Sequence, residues 1–353
     1  MHFLPLTESF LPQAETLARE QYNRERSSCS ALPADMPPYP LGKTLKDAEE
    51  GVGFAAVTDD GTAAGYLFFP WVKLNGFFGV CTGAYSPLHC YAVRDSSSLK
   101  GGMTRGKTVS MLFQKCAERL MQKACSSLAM TVYAHDAEVV EVLSLNGLGI
   151  RCADAVRKTA LPLDDAVSPE KYTLPAGFSF AAIEADRLAS DSGLTARFTE
   201  LFSILVNHLR ASPVFFAEEP WTAADFASRC QKRRSRFFSV FTEKGNGREP
   251  AGYIELYRGG ENFVSCGLAE SGSLLHICGA VVRPEYRGIL PGGSTTIAAF
   301  ILEQIRRTMT AEGIGLIGVD CETLNPTARY FWGKYFTNYT CSMHRRIDER
   351  LLP

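Results

Sequence analysis

The stretch Val281 to Thr295 reads VVRPEYRGILPGGST and decides the interpretation of the fold. The apolar run Leu274 to Val282 predicts a buried strand before the loop, and helical spacing predicts a helix from about Thr295 to Thr308 after it. Glycines let a backbone approach a ligand closely, and a helix start presents backbone N–H groups and a positive dipole end. Arg287 adds a charged donor. The segment therefore predicts a pyrophosphate site, with an ordinary strand-to-helix turn as the alternative.

A second segment follows a predicted strand at Leu316 to Val319, and Asn325 to Phe336 reads NPTARYFWGKYF. The residues VVRPEYRG resemble the "V-x-P-x-Y-R-G-x-G-x-G" segment of the GNAT N-acetyltransferase superfamily. The later segment resembles the same superfamily's "N-x-x-A-x-x-x-Y-x-K-x-G-F" helix. The two segments lie in the family's order, with a helix and a strand between them.

The resemblance implies an α/β fold with a mixed sheet, in which two central strands splay apart and acetyl-CoA lies in the notch as co-substrate. It implies backbone pairing of the pantetheine arm with the strand, pyrophosphate binding by the loop amides, and an asparagine near the arm. The cofactor-binding residues expected on this resemblance are Val281, Val282, Arg287, Gly288, Gly292, Gly293, Ser294 and Asn325.

For catalysis, His276 lies on the strand that leads into the loop, near the position of a glutamate base in some family members. Imidazole has a pKa of about 6.5, which suits proton removal from an amine. The alternative is a core histidine with a satisfied hydrogen bond. Glu322 and Glu255, on strands, are weaker candidates for the base, and Cys278 is interpreted as a buried core thiol.

The general acid is less clearly marked, because two features depart from the family pattern. Ile289-Leu290-Pro291 lengthens the loop, and Trp332 stands where the family often has a tyrosine that protonates the thiolate. Tyr330 and Tyr335 are nearby alternatives. The predicted catalytic set is therefore His276, Glu322 and Tyr330.

The chain of 353 residues is long enough for two domains. The segment 162–178 reads PLDDAVSPEKYTLPAGF and is the best linker candidate. We predict a GNAT-like domain over 1–163, a linker over 164–176 and a second GNAT-like domain, carrying the acetyl-CoA site, over 177–353.

The N-terminal half repeats the order of predicted elements found in the C-terminal half. The tripeptide Ala-Gly-Tyr occurs at 64–66 and again at 251–253, at similar distances from a later strand. Gly147-Leu148-Gly149 resembles the family's "GFG" after the last helix. We interpret the N-terminal domain as a degenerate copy that helps to shape the acceptor cleft.

A competing motif lies at Gly101 to Thr108, where GGMTRGKT matches the phosphate loop G-x-x-x-x-G-K-[ST]. The polar run Arg94 to Lys100 separates it from any buried strand, and the series of parallel βα units is missing, so nucleotide binding is the weaker alternative. Lys107 and the glycines could also hold a phosphate at the helix start. We favour a solvated loop in a domain that has lost cofactor binding.

Net charge and cysteine content limit the possible partners, metal sites and location of the protein. The net charge is −1, from 37 basic and 38 acidic residues, so no nucleic-acid partner is expected. The 11 cysteines include no CxxC pair, which predicts reduced thiols, no metal site and a cytoplasmic location. No apolar run is long enough for a membrane span, and no membrane partner is expected.

The sequence thus predicts an acetyl-CoA-dependent N-acetyltransferase acting on a small-molecule or peptide amine. A non-catalytic CoA-binding sensor or structural protein of the same fold is the alternative. The oligomeric state stays open.

Overall fold

A computed structural model describes residues 1–99, 101–163, 172–244 and 247–353. These residues form two compact units, each described by itself below. Unit 1 comprises Met1–Ala155, Asn262–Val264 and Thr337–Pro353, and unit 2 comprises Val156–Glu261 and Ser265–Phe336.

Unit 1 contains two groups of paired strands and four helices. Its elements are β1 (His2–Pro5), α1 (Leu11–Ser28), α2 (Leu41–Asp47), β2 (Val52–Val57), β3 (Ala63–Phe69), β4 (Trp71–Leu74), β5 (Gly83–Ser86), β6 (Tyr91–Val93), α3 (Arg105–Gln122), β7 (Ser127–Tyr133), α4 (Ala137–Leu145) and β8 (Gly149–Lys158), whose last three residues belong to unit 2. One group of strands runs in the order β1-β2-β3-β6, and the second contains β4, β5, β7 and β8.

Unit 2 is a mixed sheet with helices packed on it. Its elements are β9 (Phe178–Glu184), α5 (Ala185–Ala189), α6 (Ser192–Arg210), α7 (Ala223–Arg233), β10 (Arg236–Lys244), β11 (Gly247–Tyr257), α8 (Phe263–Glu270, whose first residues belong to unit 1), β12 (Leu274–Val282), α9 (Ile297–Ala311), β13 (Leu316–Glu322) and α10 (Pro326–Tyr335). The strand order is β13-β12-β11-β10-β9, and only the β12–β13 pair among these is parallel.

The end of the chain belongs to unit 1, although the sequence places 337–353 in the C-terminal domain. After β14 (Thr337–Asn338), β15 (Thr340–Arg346) pairs antiparallel with β7, from Thr340 opposite Tyr133 to Arg346 opposite Ser127. β15 also pairs with β8. Its backbone hydrogen bonds therefore join the last strand to the first unit. Of the predicted linker 164–176, residues 164–171 lie outside the described residues.

The two units repeat one plan, as the sequence predicts. In unit 1 an antiparallel pair, β2–β3, precedes β5 and β6, and α3, β7 and α4 follow; in unit 2 the corresponding elements are β10–β11, β12, α9, β13 and α10. Gly65 lies opposite Val93, and Gly252 lies opposite Val282. A Cβ at either glycine would lie within 3 Å of a carbonyl oxygen on the neighbouring strand. The Ala-Gly-Tyr tripeptides therefore occupy equivalent places.

The core of unit 2 lies between the sheet and α6. Phe198 on α6 is fully buried, and its ring contacts those of Phe237 and Tyr253 at centroid distances of 5.3 and 5.4 Å. Burial of such large aromatic side chains dominates core energetics. Among the described residues, every helix is too short or too polar to cross a membrane.

Candidate functional site

The two parallel strands of unit 2 separate part-way along their length. β12 pairs with β13 only from Leu274 opposite Leu316 to Ile277 opposite Val319. On its other side, the register between β12 and β11 shifts at Cys278, which leaves two residues of β12 opposite one of β11. Such a bulge bends a strand and increases its local twist. Beyond Ile277, β12 runs on to Val282 beside β11 with no β13 residue registered opposite it.

A pocket of about 250 Å³ opens at this divergence, within unit 2. Its walls come from β11, the end of β12, the first turns of α9 and α10, and the last part of α6, and most of the lining side chains are apolar. Five of the predicted cofactor-binding residues lie in its wall, namely Val281, Val282, Arg287, Gly288 and Asn325. An apolar cleft with a few convergent polar groups is the usual form of a ligand site.

One end of the pocket has the features of an anion site. Thr296, the N-cap of α9, accepts a hydrogen bond from the Ala299 N–H, and Ile297 and Ala298 in the first turn line the pocket. The first N–H groups of an α-helix have no partner within the helix and carry its positive dipole end. Arg287 lies beside them and donates its Nε–H to the Val282 carbonyl at 3.1 Å.

Gly288, the next residue, has a φ of +86°, a conformation that glycine adopts without strain. This bend carries the chain away from β12 directly after Arg287. The glycine is therefore required by the backbone path, and its lack of a side chain leaves the pocket wall open at this point.

The other three predicted loop residues lie away from the pocket lining. The Ser294 hydroxyl accepts a hydrogen bond from the Thr173 N–H at 3.2 Å, and Gly293 lies close to Pro175, which a Cβ on the glycine would meet at 3.3 Å. Gly292 has a φ of +79° and also faces Pro175. In the structure this half of the loop contacts the segment before β9.

Asn325 is buried and caps α10. Its side-chain oxygen accepts the Ala328 N–H at 3.3 Å, and Pro326 occupies the first helical position. Asparagine at an N-cap followed by proline is a strong helix start. The same side chain lines the pocket, so one residue both begins the helix and faces the divergence of the strands.

Tyr253 is a pocket residue that the sequence analysis missed. It lies on β11 opposite Val281, is fully buried, and its hydroxyl has no hydrogen-bond partner among the described residues. Burial raises the pKa of this phenol well above its usual 10, so the hydroxyl stays protonated. Stacking on Phe198, with 16° between the ring planes, fixes the ring. The signal available in the sequence was its place in the repeated tripeptide.

His208 was also missed. It is a half-buried residue in the last turn of α6 and lines the pocket together with Leu205. In the sequence it appears as one polar position in a strongly amphipathic helix, which gives no reason to single it out.

The three predicted catalytic residues lie outside the pocket lining. His276 is 1% exposed, and burial lowers its pKa to about 4. Glu322 ends β13, and its carbonyl accepts the Asn325 N–H at 2.9 Å. Tyr330 is 73% exposed on α10. Trp332 does line the pocket and is nearly fully buried.

The surroundings of Glu255 and Cys278, two further residues considered in the sequence analysis, give each of them a structural explanation. Glu255 is buried in an ion pair with Arg229 at 2.9 Å and accepts a hydrogen bond from Ser235 at 2.6 Å. Burial raises the pKa of the Cys278 thiol, which keeps it in the unreactive protonated form.

The phosphate-loop-like segment of unit 1 follows β6 only after a 3-10 turn at Ser96–Ser98. Thr104 caps α3 by accepting the Lys107 N–H. A Cβ at Gly106 would lie 2.8 Å from the Glu138 carbonyl oxygen, so this glycine permits close packing of α3 against α4. Two of the motif's positions thus have roles in helix formation and packing.

At the corresponding place in unit 1, a cavity of about 230 Å³ is lined by charged side chains, among them Arg105 and Asp136. The Arg105 guanidinium is buried, forms an ion pair with Asp136, and donates to the Val93 carbonyl at 2.5 Å. The Tyr91 hydroxyl accepts the Tyr133 N–H at 2.9 Å. Backbone groups at the ends of β6 and β7 are therefore already bonded within the protein.

Comparison with solved structures shows what this architecture resembles. A GCN5-related N-acetyltransferase from Sphaerobacter thermophilus aligns over 100% of this chain and 96% of its own, with 13% identity and a TM-score of 0.55. The glucosamine N-acetyltransferase region of a fungal multi-domain β-N-acetylglucosaminidase aligns over 98% of this chain and 38% of its own, with 12% identity and a TM-score of 0.50. A tandem GNAT protein from the clavulanic acid biosynthesis pathway aligns over 98% of both chains, with 15% identity and a TM-score of 0.46.

No protein family and no curated protein matches the sequence itself. The first two structural matches show that the chain has the mixed α/β fold of GCN5-related N-acetyltransferases, as the sequence predicts.

Proposed function

We propose that unit 2 binds acetyl-CoA at the divergence of β12 and β13 and transfers its acetyl group to an amine. The observation that carries this proposal is the end of the β12–β13 pairing at Ile277, with a pocket opening directly beyond it. A fold alone does not specify a function, so the argument rests on this site.

The described residues fit the parts of the cofactor. The end of β12 beyond Ile277 offers a strand edge to the amide groups of a pantetheine arm. The first turn of α9 and Arg287 offer N–H donors and positive charge to a pyrophosphate. We propose Gly288, Ile297 and Ala298, which line the pocket, as the close neighbours of the phosphates, with Gly292, Gly293 and Ser294 as the outer part of the loop.

Acetyl-CoA supplies an activated thioester. In the transfer, the amine nitrogen forms a bond to the acetyl carbon, the carbon–sulfur bond breaks, and the nitrogen loses a proton while the thiolate gains one. Tyr253 is suited to donate a hydrogen bond to the developing negative charge, because its hydroxyl is protonated and buried and has no partner in the part of the chain that the structure describes. Packing on Phe198 holds this donor in place, which lowers the cost of orienting it during the reaction.

His208 and Leu205 place the exposed end of α6 at the pocket, where an amine acceptor of small-molecule or peptide type would enter. His276, Glu322 and Tyr330 stay predictions for the catalytic groups, as does the cytoplasmic location. Unit 1, in which the buried Arg105–Asp136 ion pair lines the cavity at the corresponding place, is proposed to bind no acyl-CoA.

A non-catalytic CoA-binding protein is the second candidate. It is favoured by one observation, the presence of Trp332 in the pocket wall where the family pattern often has a tyrosine. The indole N–H can donate a hydrogen bond but is far too weak an acid to protonate a thiolate.

Thiol release from acetyl-CoA separates the two candidates. The intact protein is incubated with acetyl-CoA and a panel of polyamines, aminosugars, amino acids and peptide amines, with mass spectrometry of the products. Amine-dependent thiol release with a product heavier by one acetyl group supports the enzyme. Acetyl-CoA binding without release for any amine would support the non-catalytic protein.

A further inference from the structure

Three side chains of unit 2 lie close together, and the proposed function gives them no joint role. They are Glu261 after β11, His276 on β12 and Asp320 on β13, and one nitrogen or oxygen of each lies within 4.8 Å of the others. His276 Nδ1 lies 3.8 Å from an Asp320 carboxylate oxygen. None of the three lines the pocket at the strand divergence.

The buried imidazole of His276 is the feature that points to a ligand. His276 is 1% exposed, and its Nδ1 has no hydrogen-bond partner among the described residues. Leaving a buried polar atom without a partner destabilises the folded protein. Such an atom beside two carboxylates is readily explained if it coordinates an ion.

The ring is held in place by its surroundings. Tyr257 packs edge-on against it at a centroid distance of 5.8 Å. On β13, a Cβ at Gly318 would lie 2.8 Å from His276 Cδ2, so this glycine makes room for the imidazole. A nitrogen fixed by packing can act as a preorganised ligand.

Tyr257 also orients one of the carboxylates, because its hydroxyl donates a hydrogen bond to Glu261 Oε1 at 2.8 Å. Hydrogen bonds of this kind, from a neighbouring side chain to a metal-binding carboxylate, tune metal sites and position their ligands. The same tyrosine therefore contacts two of the three side chains.

We propose that Glu261, His276 and Asp320 form a binding site for a divalent transition-metal ion of the zinc type. Imidazole nitrogen with carboxylate oxygen is a ligand set for such ions. With bonds of about 2.0–2.2 Å, two tetrahedral ligands are about 3.4 Å apart, close to the observed 3.8 Å. Asp320 and Glu261 are partly open to solvent, so water can complete the coordination.

The sequence gives no sign of this site. The three residues lie on separate segments, and no spacing pattern of the zinc-finger or HExxH type connects them. The expectation of no metal site came from the cysteines, which include no CxxC pair. A metal-bound His276 has its Nδ1 lone pair engaged and does not serve as a base, which distinguishes this proposal from the predicted catalytic role.

The test uses the intact, tag-free protein after treatment with a chelator, without acetyl-CoA. Zn²⁺ is titrated by calorimetry, and Co²⁺ serves as a spectroscopic probe through its visible absorption. We expect one ion per chain. Asp320→Asn and Glu261→Gln are each expected to weaken binding more than about 10-fold, the lower end of the effect of outer-shell changes.

Two further variants make the test specific. Tyr257→Phe keeps the ring that packs on His276 and removes only the hydrogen bond to Glu261, so we expect weaker binding with an unchanged melting temperature of the metal-free protein. Glu270→Gln, an exposed carboxylate at the end of α8, is the matched control and is expected to bind as the wild type does. The absence of stoichiometric binding, or equal affinity in wild type, Asp320→Asn and Glu261→Gln, would overturn the proposal. Because the assay contains no acetyl-CoA, its failure and the failure of the proposed acetyl transfer are separate results.

Discussion

Ile277 lies opposite Val319 in the last registered pair between β12 and β13. The bulge at Cys278 follows immediately, and from there β12 is registered only against β11. β12 thus pairs in parallel with β13 over its first half only, and it pairs antiparallel with β11 along most of its length. The pocket lies where the pairing of β12 with β13 ends. The start of α9 and Asn325 line it.

Tyr253→Phe tests the proposed hydrogen-bond donor. Because the hydroxyl has no hydrogen-bond partner among the described residues, its removal is expected to leave the free energy of unfolding nearly unchanged. We expect kcat for acetyl transfer to fall about 10²-fold, as for loss of one donor to a developing oxyanion, with acetyl-CoA affinity retained. Steady-state kinetics and calorimetry measure the two effects, and an unchanged kcat would remove Tyr253 from the mechanism.

Arg287→Gln tests the anion end of the pocket. Loss of a charge-assisted hydrogen bond costs about 1.5–3 kcal/mol, so acetyl-CoA should bind at least about 10-fold more weakly. Acetyl-pantetheine, which has no pyrophosphate, is the control ligand and should bind wild type and variant equally. An equal loss for both ligands would mean that Arg287 acts through the loop structure.

Asp136→Leu tests the contribution of the buried Arg105–Asp136 ion pair to the stability of unit 1. The side chains of Arg105 and Asp136 are 5% and 9% exposed, and an unpaired buried guanidinium destabilises a protein by about 3–5 kcal/mol. Adding Arg105→Leu to the variant should recover part of this loss in urea unfolding. Single and double variants with wild-type stability would show that the pair contributes nothing.

The environment of His89 predicts how the stability of the protein depends on pH. Burial lowers its pKa to about 4, below the value of about 6.5 expected in the unfolded chain. Between these values the unfolded state binds more protons, so stability rises with pH, and it falls as the pH decreases from 6.5 towards 4. His89→Gln, which can still hydrogen-bond Thr44, should show a smaller decrease in urea midpoint over this range. Equal slopes for the two proteins would assign the effect to other groups.

The fold could be predicted from sequence because its strongest signals are local. β12 runs from Leu274 to Val282, as predicted, and the loop after it with Arg287 and Gly288 gives the family resemblance. The repeated tripeptide marked Gly65 and Gly252, because both places require a close approach between strands. These features depend on neighbours along the chain or on one strand pair.

The remaining features depend on contacts between distant segments. The membership of β15 in unit 1 is set by pairing with β7, more than 200 residues earlier. That the Tyr253 hydroxyl lacks a partner among the described residues is visible only from its surroundings in the fold. The Glu261–His276–Asp320 cluster needs three segments to meet. His276 is 1% exposed, and a strand pattern alone does not reveal this burial.

Calorimetric titration of acetyl-CoA into wild type, Ala298→Glu and Ala298→Gln directly tests whether unit 2 binds the cofactor at the start of α9. Glutamate in the first turn of α9 favours the helix dipole, so the variant should fold, but its carboxylate would lie where the pyrophosphate is expected. Glutamine has nearly the same size without the charge. We expect one acetyl-CoA per chain for wild type, at least about 10-fold weaker binding for Ala298→Glu, equal to 1.4 kcal/mol, and a smaller loss for Ala298→Gln. Wild-type affinity in Ala298→Glu would contradict the proposed binding site.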